Sequence, residues 1–161
     1  MPDIICLGID PGLARVGYGA VVQSGSDLKA LNYGCVETKP GMNFSDRLLT
    51  IYNDIQEQID VCSPDFLSVE RLFFGRNLKT AGNVYQARGV IMLLAAKNKL
   101  PVIEPMPNQI KMKLCGIRNA DKAQVQGMVQ KLLALEAVPK PDDTADALAA
   151  AVTGLAVYAS T

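Results

Sequence analysis

Four acidic residues lie at positions that a fold could bring together into a metal-binding site. Asp10 ends a short apolar run and precedes Pro11-Gly12, and Glu70 ends a second apolar run. Asp143 and Asp146 are three residues apart at the start of a predicted helix, so they face the same way. Clustered carboxylates raise one another's pKa values, and a divalent cation relieves that repulsion. Two Mg²⁺ ions about 3.5–4 Å apart activate a water and stabilise the leaving oxygen of a phosphodiester.

The absence of histidine limits the kinds of catalytic and metal-binding site that the chain can form. With no histidine in the chain, Ser-His-Asp, Cys-His and Cys/His zinc sites are excluded. The cysteines form no Cys-x-x-Cys pair and lie in apolar contexts, so we predict four buried free thiols in a reducing compartment: Cys6, Cys35, Cys62 and Cys115. Catalysis must therefore use carboxylates, lysines or a metal.

Basic side chains are concentrated in the middle of a chain whose net charge is zero. Residues 71–122 carry ten basic and two acidic side chains, a net charge of +8, and the remainder carries six basic and fourteen acidic, a net charge of −8. This split predicts a face that binds a polyanion; the alternative is a chance excess of solvated lysines.

The hydrophobic pattern predicts an α/β protein with a single domain over residues 1–161. Five strands are predicted at 4–9, 16–23, 28–38, 66–69 and 102–103. Four helices are predicted at 44–62, 78–98, 121–135 and from about 142 onward. An antiparallel hairpin followed by βαβ units predicts a five-stranded mixed sheet flanked by helices, which is the element order of the RNase H-like fold. That fold also hosts kinases and ATPases, so it does not fix the function.

The RNase H-like order would bring the four carboxylates together. In such a sheet the strands that end at Asp10 and Glu70 are neighbours. Alanines behind Asp143 and Asp146 let the last helix lie close to the sheet. Taken one at a time, these residues have structural alternatives: Asp10 as a turn residue before proline, and Asp142 or Asp143 as a helix N-cap.

No apolar run approaches the roughly 20 residues that cross a bilayer, and the first residues lack the basic segment of a signal peptide. These features predict a cytoplasmic protein that does not contact a membrane.

Ordered motifs cover most of the chain. They are Gly8-Ile9-Asp10-Pro11-Gly12 with Gly17-Tyr18-Gly19, Val69-Glu70 with Phe73 and Gln86-Ala87-Arg88-Gly89, the stretch 120–125, and Asp143-Thr144-Ala145-Asp146-Ala147-Leu148. In this order, from residue 4 to about 154, they resemble the RuvC family of bacterial crossover junction endodeoxyribonucleases. The first motif alone is shared with sugar kinases and related ATPases, whereas the ordered set is specific.

The resemblance implies roles for individual residues. Asp10, Glu70, Asp143 and Asp146 would be catalytic and would hold Mg²⁺, two ions per site, with Mn²⁺ as a substitute. Asp142 precedes the matching position and would be an N-cap or a supporting group.

The resemblance also implies a DNA-binding surface. Phe73 would be an aromatic wedge beside the site, with Phe74 its neighbour. Lys111 and Lys122 would contact DNA, with Arg76 as a third basic contact. Residues 117–119 depart from the Gly-rich basic stretch expected there, which makes the individual basic contacts harder to place.

A function follows from the same resemblance. The family resolves four-way (Holliday) junctions by paired symmetric nicks, and a twofold homodimer with one site per subunit would supply both cuts. Helix 78–98 is apolar on more than one side, which fits a dimer contact or deep burial in a monomer. Branch-migration proteins of the RuvA and RuvB type are implied partners.

Three other functions stay open. An RNase H-like nuclease acting on RNA or an RNA–DNA hybrid would share the four carboxylates. A sugar kinase or actin-like ATPase would need two such domains, and 161 residues are too few. A non-catalytic DNA-binding module would not need all four carboxylates.

Overall fold

Ten elements make up the part of the chain that the computed structural model describes, residues 2–72 and 78–161. In chain order they are β1 (Ile4–Asp10), β2 (Arg15–Ser24), β3 (Asp27–Glu37), α1 (Phe44–Cys62), β4 (Phe66–Val69), α2 (Leu78–Lys97), β5 (Val102–Ile103), α3 (Pro107–Cys115), α4 (Lys122–Leu132) and α5 (Asp142–Ala159). Phe73, Phe74 and Arg76 lie outside the described residues.

The strands form one mixed sheet in the order β3-β2-β1-β4-β5. β1 pairs antiparallel with β2 and parallel with β4, and β5 extends the parallel part. The sequence prediction of an α/β, RNase H-like fold with five strands is therefore confirmed. A register shift between Ala20 and Val21 leaves Leu31 of the edge strand β3 without a partner, which is a β-bulge.

Each face of the sheet has its own hydrophobic core, because strand side chains alternate between the two faces. Leu7, Ile9, Leu67 and Val69 pack with α1 and α2 on one face. Cys6 and Phe66, together with α3, α4 and α5, form the core of the other face. The alternation puts Asp10 and Glu70 on the face of α5.

Helix α5 lies unusually close to the sheet because β1 and β2 carry glycines beneath it. A Cβ added to Gly8 would overlap the carbonyl oxygen of Ala147, and one added to Gly17 would overlap that of Asp143. The buried Ser68 hydroxyl donates a hydrogen bond of 2.6 Å to the carbonyl oxygen of Ala150. These contacts fix the first turn of α5 over the ends of β1 and β4.

Two details differ from the elements predicted from the sequence. Those elements do not include α3, a nine-residue helix that starts at Pro107 and buries Ile110 and Leu114. Pro107 occupies the first helical position, where proline is favoured. Helix α4 ends at Leu132 instead of residue 135, since Ala134 has a positive φ of 51°.

The cysteines are free, as expected, but two of the four are less buried than expected. Cys6 and Cys62 are buried, whereas Cys35 and Cys115 are half-buried. Burial raises the pKa of each thiol above its ordinary value, so all four thiols are protonated at neutral pH.

No helix among the described residues is long and apolar enough to span a membrane.

Replacing Gly17 with alanine should destabilise the protein, because its new methyl group would push against the backbone of Asp143. Overpacking of this kind costs about 1–3 kcal/mol. Gly127→Ala is the matched control: Gly127 lies inside α4 with open space around its Cα, and alanine there should stabilise by about 1 kcal/mol. Urea unfolding measures the free energy of unfolding of both variants relative to the parent. Equal changes in the two variants would show that α5 can move away from the sheet without cost.

Candidate active site

Two of the four predicted carboxylates lie side by side at the end of the parallel strands. Ile9 is paired with Val69, so Asp10 and Glu70 follow on adjacent strands at the same level of the sheet. Asp10 shares a face with Gly8, and Glu70 shares that face with Ser68. Both side chains therefore point toward α5.

Helix α5 supplies the other two carboxylates from its first turns. Thr144, Ala145 and Ala147 are buried against the sheet, which leaves Asp143 and Asp146 half-buried at its edge. The Thr144 hydroxyl donates to the carbonyl oxygen of Gly34 at 3.1 Å and so ties this turn to β3. Asp143 and Asp10 are joined by a hydrogen bond between their carboxyl groups.

Burial and mutual repulsion raise the pKa values of three of the four carboxyl groups, those of Asp10, Glu70 and Asp146. The pKa of Asp10 is raised from 3.8 to about 8, first by burial and then by the charges of Asp146, Asp143 and Glu70. Burial and Asp146 also raise the pKa of Glu70, although the Lys111 ammonium partly opposes the shift. Burial raises the pKa of Asp146 despite the opposing charge of Lys122. The four carboxylates therefore act as one electrostatic unit.

Lys111 and Lys122, the two lysines predicted to contact DNA, lie beside the four carboxylates. The Lys122 ammonium lies 3.5 Å from both Asp146 Oδ2 and Asp142 Oδ2. Pro141 occupies the N-cap of α5, so Asp142 is not the N-cap, and its carboxylate pairs with Lys122. The start of α4 is fixed by a reciprocal cap between Asp121 and Gln124, which holds Lys122 in place.

A cavity of about 330 Å³ opens next to the carboxylates between α3, α4 and α5. Charged and apolar residues line it: Glu70, Lys111, Asp121, Lys122 and Asp146 with Pro107, Ile110, Ala120, Val125 and Ala149. Its rim combines acidic groups that attract cations with lysines that attract phosphate.

The donor set fits a hydrated divalent cation. The pKa values of Asp10, Glu70 and Asp146 are raised, so these groups gain from a positive charge placed between them. Within residues 2–72 and 78–161, no three acidic or cysteine side chains are already close enough to hold an ion by themselves. Mg²⁺ suits that arrangement, since it keeps several waters and is bound by one or two carboxylates plus substrate phosphates. The site residues fit the ion.

Without metal, Asp10→Asn should become more stable than the parent chain as pH rises. The unfolded chain loses the Asp10 proton above about pH 4, whereas the folded state keeps it up to about pH 8, so the stability of the fold falls progressively across that range. Asparagine cannot ionise and avoids that loss. Unfolding in EDTA at pH 5 and pH 8.5 measures the difference, with the exposed Asp60→Asn as control. Parallel pH curves for the parent and Asp10→Asn would contradict the buried, repelled carboxylate.

Comparison with known proteins adds an independent result. The model of the family described as crossover junction endodeoxyribonuclease RuvC matches residues 6–154. Proteins of that name from Ruminiclostridium cellulolyticum and Moorella thermoacetica are 48% and 51% identical over 149 residues, 92% of this chain and 90% and 89% of theirs.

Solved structures agree with the sequence match. Thermus thermophilus RuvC in complex with a Holliday junction substrate has a TM-score of 0.91 at 34% identity, covering 97% of this chain and 94% of that one. The yeast mitochondrial Holliday junction resolvase Ydc2 has a TM-score of 0.64 at 17% identity, covering 92% and 76%, which supports the fold alone. On the family match and the identity of these relatives, the chain belongs to the RuvC family of crossover junction endodeoxyribonucleases.

Proposed function

We propose that this protein is a metal-dependent endodeoxyribonuclease that resolves four-way DNA junctions by paired symmetric nicks. The observation that carries the proposal is the meeting of Asp10, Glu70, Asp143 and Asp146 at one edge of the sheet in a chain of the RuvC family. The Thermus relative is bound to a Holliday junction substrate, which supports the same substrate here. Incubation with a synthetic mobile junction and Mg²⁺, with the nicks mapped on each strand, tests it.

The chain's own groups prepare the site for a phosphodiester. The four carboxylates would hold Mg²⁺, two ions per site, with Mn²⁺ able to replace it. Bound ions of this kind supply an activated water and charge stabilisation for the leaving oxygen. Lys111 and Lys122 line the cavity next to the carboxylates and would attract the phosphates on either side of the cut. Asp142 would keep the Lys122 ammonium beside Asp146 until DNA arrives.

The remaining DNA contacts stay predictions. Phe73 and Phe74 would unstack bases at the crossover, and Arg76 would bind backbone phosphate. Association with RuvA and RuvB type proteins and a cytoplasmic location also stay predictions of the family resemblance. An RNase H-like activity on RNA or a hybrid is disfavoured by the family match, and cleavage of a junction and of a hybrid duplex can be compared directly.

A homodimer through α2 would bring two sites to one junction. An exposed stripe runs along this helix at spacings of three and four residues, with Leu93 60% exposed at its centre: Gly82, Gln86, Gly89, Leu93 and Ala96. Small residues beside one large apolar side chain allow two helices to pack closely, which supports the twofold contact.

Each catalytic carboxylate should be essential for cleavage and dispensable for binding. Asp10→Asn, Glu70→Gln, Asp143→Asn and Asp146→Asn should each lower junction nicking at least about a hundredfold, because each removes a carboxylate that would hold the metal ions. Gel-shift assays should show junction affinity close to that of the parent, and Asp60→Asn should nick normally. Near-normal nicking by any one of the four would remove that residue from the site.

Lys111 and Lys122 should act on DNA phosphates. Alanine at either position should weaken junction binding across sequences and reduce the slope of log affinity against log salt by about 1. Lys29→Ala, on the opposite edge of the sheet, is the control. An unchanged slope in both variants would place the phosphate contacts elsewhere.

Leu93→Glu should convert the dimer into a monomer. A buried charge at the centre of the helix contact has no partner and opposes association. Sedimentation velocity should give the monomer mass for this variant and the dimer mass for the parent. Leu132→Glu, on α4 at the other face of the sheet, should stay dimeric. A monomeric parent, or a dimeric Leu93→Glu, would contradict the α2 contact.

A further inference from the structure

A charge network lies on the face of the sheet opposite to the carboxylate cluster. The Arg88 guanidinium of α2 donates to Glu104 Oε1 at 2.7 Å. The Arg71 Nη2 atom lies 3.7 Å from the other carboxylate oxygen of Glu104. Glu104 thus connects α2 to the residue that directly follows Glu70.

The inner part of this network is sheltered from water. The Arg88 side chain is 16% exposed and that of Glu104 is 32% exposed, whereas that of Arg71 is 53% exposed. The buried Nε of Arg88 has no hydrogen-bond partner among the described residues. Glu104 is therefore the group that neutralises a largely desolvated guanidinium and holds it in one orientation.

The backbone connects the network to Glu70. The amide of Arg71 donates to the carbonyl oxygen of Pro105 at 2.9 Å, just as the amide of Leu67 donates to that of Pro101 at 2.9 Å. A backbone hydrogen bond therefore still joins the two segments at Arg71, one residue past Glu70, although the β4–β5 ladder ends at Ser68 and Ile103. Since side chains alternate, Arg71 points to the face of α2 while Glu70 points to the face of α5.

Glu70 needs such a restraint because its neighbours repel it. Burial and then the charge of Asp146 raise the pKa of Glu70, so the ionised Glu70 carboxylate is repelled by its neighbour. Strand β4 itself ends at Val69, one residue before Glu70. A tether on the next residue limits how far the carboxylate can withdraw.

We infer that Glu104 is a positioning residue: held by Arg88, it anchors Arg71 and so keeps the Glu70 carboxylate in place to bind metal. The inference rests on the proposed function, because it assumes that Glu70 holds metal. Arg71, Arg88 and Glu104 thereby have a role beyond their contribution to the net charge of residues 71–122.

Mn²⁺ titration of the DNA-free protein by calorimetry and junction nicking at saturating substrate test the inference together. Glu104→Gln should weaken Mn²⁺ binding and lower the nicking rate, each by about 10–100-fold, as loss of a group that orients a metal ligand does. Junction affinity should stay within about twofold, because Glu104 lies on the face away from Lys111 and Lys122. Glu104→Asp, which keeps the charge, should recover much of the Mn²⁺ affinity. Glu136→Gln, on an exposed residue, is the control.

Arg71→Gln provides a second route if Glu104→Gln folds poorly. This variant leaves the Arg88–Glu104 pair intact and cuts only the tether, so Mn²⁺ affinity and nicking rate should fall while the melting temperature stays near that of the parent. Weaker junction binding with a lower salt slope and unchanged Mn²⁺ affinity would make Arg71 a phosphate contact and overturn the inference. A lower melting temperature for Glu104→Gln with normal Mn²⁺ affinity would also overturn it, leaving a purely structural ion pair.

The metal readout separates this inference from the proposed function. If the parent binds Mn²⁺ but does not nick junctions, the proposed function fails, while loss of Mn²⁺ affinity in Glu104→Gln would still support positioning. If Glu70→Gln binds Mn²⁺ as well as the parent, Glu70 is not a metal ligand, and the positioning role is overturned with it.

Discussion

The close approach of α5 to the sheet is the constraint on which the site depends. Two of the four carboxylates are carried by strands and two by the helix, so they meet only because no side chain separates the two layers. Gly8 and Gly17 remove the side chains that would stand between them. The alanines on the inner face of α5 do the same from the other side. The local helix and strand propensities of these residues matter less than their small size.

Close packing creates an electrostatic cost that the rest of the molecule must offset. Asp10 is brought into a buried position among three other acids, and burial first and then their charges raise its pKa to about 8. Lys122 and Lys111 reduce this cost from one side. A divalent cation among these carboxyl groups would offset the remaining cost.

Much of this arrangement was predictable from the sequence, for physical reasons. Asp10 and Glu70 could be placed because short apolar runs end at them, and Asp143 with Asp146 because helical spacing fixes their common face. Helix α3 could not be predicted, since one proline and only two buried positions within nine residues give almost no periodic signal. The network of Arg71, Arg88 and Glu104 was also hidden, because an ion pair between residues far apart in sequence follows from sheet pairing and leaves no local pattern.

The bulge at Leu31 has a consequence for how copies of the chain can meet. Strand β3 is eleven residues long and lies at the edge of the sheet, where unpaired amides and carbonyls invite another chain to add a strand. The unpaired residue bends and twists that edge, so a second copy cannot align with it over its full length. The β-bulge therefore hinders copies of the chain from joining edge to edge into longer sheets at high concentration.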